Sequence, residues 1–243
     1  MLQRPHPLSG GIDRCRGLAW VALAWLSLTV AGCGTRPPAS APTVATAGPA
    51  GSTAFQVDAA ASEIWLFLHA DGPLASVGHT HVVTSHALEG TVWLHPQAEL
   101  SGCHLLLPVE SLVVDDPNER ANAGGEYAEP LDESARTGTR DHMMGDRQLD
   151  AAHYPRVTLQ CRRLTPTSEG TTLEVAATVR DHTAILVIPL RWQHQGNAIQ
   201  ADGEVSFTQT SLGLEPYSLL FGALRVSDLI RARFHIAARP ASP

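Results

Sequence analysis

The sequence predicts an all-β domain: an antiparallel β-barrel of about eight strands with one long, partly helical connection. Three observations carry that prediction. Apolar residues recur at every second position through most of the chain after residue 54. Turn signals such as Asp71-Gly72-Pro73, Ser168-Glu169-Gly170 and Gln195-Gly196-Asn197 separate the alternating runs. One polar stretch, Asp115 to His153, breaks the alternation and is rich in Ala, Glu, Asp, Asn and Gly. Strands with one apolar face need a partner surface, and closure also removes exposed edges. A β-sandwich is the alternative that the same alternation allows.

The chain begins with Arg4, Arg14 and Arg16 ahead of an apolar run from Leu18 to Val30. Thirteen residues are too few to span a bilayer comfortably, which takes about twenty. They suit the apolar region of a secretory signal. The run ends in Val30-Ala31-Gly32-Cys33, which resembles the lipobox of bacterial lipoproteins. That resemblance implies cleavage after residue 32 and acylation of Cys33. Gly34, a non-Asp residue after the Cys, implies an outer-membrane address facing the periplasm. A 1–32 signal takes three Arg and one Asp with it, leaving 14 basic and 23 acidic residues and a net charge of −9. Residues 33–53 are mostly Pro, Ala, Ser, Thr and Gly, with Pro37, Pro38, Pro42 and Pro49. Such a segment buries no core and reads as a semi-extended tether. The folded domain is predicted over 54–241.

Within that domain, Ile64 to Leu68 is apolar on both faces, as is Ile185 to Leu190. Such strands are expected to pack on both sides. Cys103, Leu105, Leu107 and Val109 share one face of a strand. Val157, Leu159 and Cys161 alternate with Thr158, Gln160 and Arg162, and Leu173, Val175, Ala177 and Val179 with polar partners. The last strand carries Ile230, Ala232, Phe234 and Ile236 on one face. This is the half-buried strand pattern.

Composition excludes several functions. All seventeen basic residues are Arg, so no Schiff base, P-loop lysine or lysine base exists. The acidic balance argues against a nucleic-acid surface. The sequence holds no Gly-x-Ser-x-Gly elbow and no Gly-rich phosphate loop, and a non-catalytic role is expected. Twelve histidines stand out. His79 and His81 are two apart, which on a strand aims both the same way, and with His142 they form a candidate metal set. A structural role in a turn or hydrogen bond is the alternative. Cys103 and Cys161 are the thiols of the folded part. An oxidising compartment permits a disulfide between them, and pairing them places Val109 opposite Pro155. Two separate buried thiols are the alternative.

Several stretches together resemble the YceI-like family. They are Phe55-Gln56-Val57-Asp58 with Ser62-Glu63-Ile64-Trp65-Leu66, then Gly90-Thr91-Val92, then Arg140-Asp141-His142-Met143-Met144 with Leu149-Asp150 and Tyr154-Pro155-Arg156-Val157-Thr158-Leu159. Phe207 to Gly213 and the strand from Asp228 complete the series. Gly78-His79-Thr80-His81 is similar to a subgroup's "G-H-N-H" segment, with Thr80 in place of Asn. The resemblance implies a lipocalin-like barrel holding a polyisoprenoid or quinone-type lipid. Candidate ligand-contacting residues are Trp65, Phe67, Leu105, Leu107, Leu159 and Leu190. Periodicity leaves open which face of Ile64–Leu68 points inward. A filled core without a cavity and a metal-binding accessory protein using His79 and His81 are the rival expectations.

Overall fold

The computed structural model describes residues 48–168 and 170–240. The expected signal (1–32), Cys33 and the tether up to residue 47 lie outside the described residues. So do residues 241–243.

Fourteen strands are present among the described residues. They are β1 (Thr53–Val57), β2 (Glu63–Leu68), β3 (Ala70–Asp71), β4 (His81–Ser85), β5 (Glu89–Leu94), β6 (Gly102–Pro108) and β7 (Val113–Val114). After the long connection come β8 (Arg156–Thr167), β9 (Gly170–Val179), β10 (His182–Gln195), β11 (Ala198–Thr208), β12 (Ser218–Leu219), β13 (Leu224–Val226) and β14 (Leu229–Pro240). Eight of them form the ring β1-β5-β6-β8-β9-β10-β11-β14, and β14 pairs back on β1 to close it. Every pairing in the ring is antiparallel. The predicted barrel is therefore the architecture, and the sandwich is not.

Three strands of the wall are interrupted. β1 resumes as β2 past a turn at Ala59–Ala61, β5 is preceded by β4, and β6 is followed by β7. The added strands pair in the order β14-β2-β4-β7. Each break lets the strand bend with the barrel while keeping its neighbour. β3, β12 and β13 form a separate three-stranded sheet, next to the barrel end where β2 leaves the wall and β14 begins.

The connection after Asp115 folds as expected. Helix α1 (Pro117–Ala123) starts where the Asp116 carboxylate accepts from the Asn118 and Glu119 N–H groups, at 2.9 and 3.2 Å, with Pro117 in the first turn. An acidic cap satisfies donors that have no intrahelical partner. Helix α2 (Glu133–Met144) is capped in the same way by Asp132, which accepts from Ala135 N–H at 2.8 Å. Arg140 of α2 donates to the Leu112 and Glu110 carbonyls. Met143 and Met144 pack into the cluster built on Leu105, Leu107, Leu112 and Val114. α2 and the following turn thus cover one end of the barrel.

The two doubly apolar strands differ. The outer face of β2 is covered: Trp65 and Phe67 cluster with Val82 and Tyr127. The outer face of β10 is not, and Ile185 and Val187 remain 52% and 61% exposed.

Candidate functional site

The barrel encloses a cavity of about 320 Å³. The alternating faces read from sequence are its walls: Leu105 and Leu107 on β6, Val157, Leu159 and Cys161 on β8, Leu173 to Val179 on β9. β10 adds Leu186, Ile188, Leu190 and Trp192, and β14 adds Ile230 to Ala238 at alternate positions. Gln148, Gln209 and Ser101 are the polar side chains of the lining, and no charged side chain lines it among the described residues. Ile64, Leu66, Leu159 and Leu173 are only half-buried although they face inward. A close-packed core would bury such side chains almost completely. The residual accessibility belongs to the hollow.

Met143, Leu149, Leu212 and Leu214 line one end of this cavity, and Trp93, Ser101, Leu164 and Trp192 the other. Leu212 and Leu214 are buried, whereas Trp192 keeps 38% of its surface exposed. The first end is roofed by α2 and the turn Thr210–Leu212.

Four of the six predicted ligand-contacting residues, Leu105, Leu107, Leu159 and Leu190, line the cavity. Trp65 and Phe67 do not, and the lining side chains of β2 are Ile64, Leu66 and Leu68. The cause lies across the strand pair. Arg233 faces Trp65 and Arg231 faces Phe67 in the β14–β2 register. Their guanidinium carbons sit 4.8 and 4.1 Å from the two ring centroids. A charged guanidinium cannot be left in a dry apolar interior, so it holds its partners on the outer face. The alternation of Arg231 and Arg233 with Ile230 and Ala232 is the sequence signal that assigns the face. Gln148, Leu149, Gln209, Leu212 and Leu214 come to the site from irregular segments, where periodicity carries no information.

Cys103 and Cys161 are directly opposed on β6 and β8 and bridged, with Cα atoms 4.7 Å apart. Val109 N–H donates to the Pro155 carbonyl at 2.9 Å, the neighbour that this register requires. Both half-cystines belong to the cavity wall.

The three histidines proposed as a metal set are not brought together. His81 Nδ1 lies 2.7 Å from Asp115 Oδ2. An ionised carboxylate only accepts, so the ring nitrogen donates. Asp115 Oδ1 accepts from Arg120 Nη1 at 2.7 Å and from Val82 N–H at 2.8 Å. Arg120, 2% exposed, also donates to the Thr80 and Glu129 carbonyls. Burial raises the Asp115 pKa, but the hydrogen bonds from His81 and Val82, the His81 charge and the Arg120 bond outweigh it. The carboxyl is held below the usual range. His142 is occupied by the Gly138 carbonyl at 2.7 Å and the Tyr217 ring at 4.5 Å. His79 is exposed beside a polar recess with His69, Arg120, Glu126 and Glu129. No group of three or more His, Cys, Asp or Glu among the described residues is arranged to hold a metal ion. His81 therefore fixes the long connection against β4.

A solved structure shares this architecture. BcnA of Burkholderia cenocepacia superposes with a TM-score of 0.53 at 14% identity, covering 74% of this chain and 98% of BcnA. This chain and BcnA share a fold. Less similar are a polyisoprenoid-binding domain from Saccharophagus degradans and the YceI protein of Campylobacter jejuni. The first has 14% identity, a TM-score of 0.49 and coverage of 78% of this chain and 99% of the domain. The second has 9% identity, a TM-score of 0.48 and coverage of 66% and 85%. At these identities the likeness concerns the fold alone. No family model and no curated protein matches the sequence. What this barrel offers a ligand is read from its own residues: the uncharged lining, the bridge within it and the α2 roof.

Proposed function

We propose that the chain is an envelope protein, anchored by acylated Cys33 to the periplasmic face of the outer membrane. Its barrel takes up an apolar, isoprenoid-type lipid and holds it without catalysis. The observation that carries this reading is the hollow itself, about 320 Å³ lined by aliphatic and aromatic side chains. A volume of this size is at the lower end of small-molecule sites. Apolar surface leaving water supplies the affinity, with about 4 kcal/mol as an upper limit for a fully buried five-carbon isoprene unit. The lining offers a chain little to hydrogen-bond, so shape and chain width select the ligand. Gln148 and Gln209 stand at the roofed end, their amide nitrogens donating to the Glu215 and Ser227 carbonyls and their amide oxygens left to accept from a polar head group.

The lipobox pattern at Val30-Ala31-Gly32-Cys33 supports the anchor. Two acyl chains or more hold a protein to a bilayer without a spanning segment. The described lining carries no ionisable acid or base, which supports binding over catalysis. Native mass spectrometry of the full chain extracted from membranes tests the reading. A retained apolar lipid, absent from a Leu159→Trp variant, is expected. An empty protein that also takes up no fluorescent polyprenyl analogue overturns it.

A further inference from the structure

The hairpin between β12 and β13 ends in Leu219-Leu220-Phe221-Gly222-Ala223-Leu224, six residues without a polar side chain. Phe221 is fully exposed, and Leu220 and Leu219 are 65% and 45% exposed. A second segment joins them. Leu74 N–H donates to the Ala223 carbonyl at 2.9 Å, and Gly72 packs so closely on the Gly222 and Ala223 carbonyls that no side chain fits there. This brings the turn bearing Leu74 and the 66%-exposed Val77 beside the hairpin. Arg225 and Asp71 lock the base of the two segments with a 2.8 Å ion pair. The result is one projecting apolar tip.

Its backbone is unusual as well. Leu220 and Phe221 are consecutive non-glycine residues with φ of 50° and 56°. L side chains rarely adopt that region, and strain of this kind persists where surrounding structure imposes it. The backbone thus holds a Leu-Phe pair outward in water, where glycine or asparagine would be unstrained.

We propose that this tip docks by insertion into a lipid bilayer, and that the barrel exchanges its ligand with the membrane at this end. The proposal rests on the apolar-ligand reading above. Four observations select a lipid surface as the occupant. The tip projects and carries no free charge, Arg225 being paired with Asp71, which suits insertion between lipids over charge pairing. The patch is small: its exposed apolar side chains are Leu74, Val77, Leu219, Leu220 and Phe221, against the roughly 20–30 residues a side of a stable protein interface. The tip is joined to the cavity roof: the Tyr217 ring packs at a tilt against His142 of α2 and Gln148 donates to the Glu215 carbonyl at 2.6 Å, while Leu212 and Leu214 line the cavity. Finally, Cys33 lies fifteen residues before Gly48. Such a stretch reaches up to about 50 Å when extended, more than the roughly 40 Å rise of a twelve-residue strand. An acyl anchor there leaves either barrel end free to meet the bilayer.

The test uses the full chain reconstituted with phosphatidylcholine vesicles, with a benzophenone amino acid in place of Phe221 or, as control, Val187. A lipid adduct from position 221 and none from 187 is expected. An adduct only to a second copy of the chain, or to no lipid, overturns the proposal. A second arm follows transfer of a fluorescent polyprenyl analogue from those vesicles into a Leu220→Asp/Phe221→Asp variant. Transfer is expected to slow at least tenfold, with equilibrium uptake from detergent unchanged within twofold. Unchanged transfer overturns the docking role. If the unsubstituted chain takes up no analogue from detergent either, the ligand reading fails, and the lipid adduct still decides docking by itself.

Discussion

Between Ile64 and Leu68 the choice of face decides which side chains can meet a ligand. Ile64, Leu66 and Leu68 face the hollow, while Trp65 and Phe67 lie under Arg231, Arg233 and Tyr127 on the outside. The two sets therefore respond differently to substitution. Trp65→Ala removes a buried aromatic and is expected to cost about 3–5 kcal/mol of stability. Lipid affinity of the protein that remains folded stays within about threefold, read by denaturant titration alongside ligand titration. Leu159→Trp fills the hollow. It is expected to keep the melting temperature and lower ligand affinity at least tenfold. At Asp115 the folded carboxyl titrates below its unfolded value, near 3.9. The stability it contributes is fully present above that value and is lost as pH falls through the lower, folded one. Acid unfolding below about pH 4 is thus expected to be steeper in the native chain than in Asp115→Asn. That variant also leaves Arg120 buried without its carboxylate partner and is expected to lose about 3–5 kcal/mol at pH 7.

At the scale of elements, the period-two strands were legible because each long strand has one dry face. Val157, Leu159 and Cys161 could be assigned to one side without knowing the barrel. The both-sided apolar strands were not, because alternation is lost when both faces are apolar. The face of β2 follows instead from the Arg231 and Arg233 opposite it, a pairing that local sequence does not display. The roof was beyond periodicity for a different reason. Gln148, Leu149, Leu212 and Leu214 reach the cavity from turns, whose geometry depends on what they pack against. The Cys103–Cys161 bridge joins adjacent strands 58 residues apart in sequence. On the chain-entropy account, closing such a loop constrains the unfolded state by about 4 kcal/mol. Reduction is expected to lower the unfolding midpoint by a corresponding amount in a urea titration. Labelling of Cys103 and Cys161 in the denatured, non-reduced chain would show that the bridge is absent.

For the whole molecule, eight sequential strands closing on themselves leave space that these side chains do not fill. The sequence could not distinguish a filled core from a hollow one, since both have the same alternation. The distinction lies in summed side-chain volume against barrel circumference, seen here as half-buried leucines and isoleucines facing inward. A hollow of this kind makes affinity depend on ligand length. Each isoprene unit added to the ligand is expected to tighten binding until the cavity is full, and further units to add little. The central claim, that the barrel interior is an apolar binding site, is tested most directly by titrating the full chain with a fluorescent polyprenyl analogue. Saturable one-to-one binding, displaced by unlabelled polyprenol and lost in Leu159→Trp, is the predicted result. Binding that never saturates, or that survives Leu159→Trp unchanged, contradicts it.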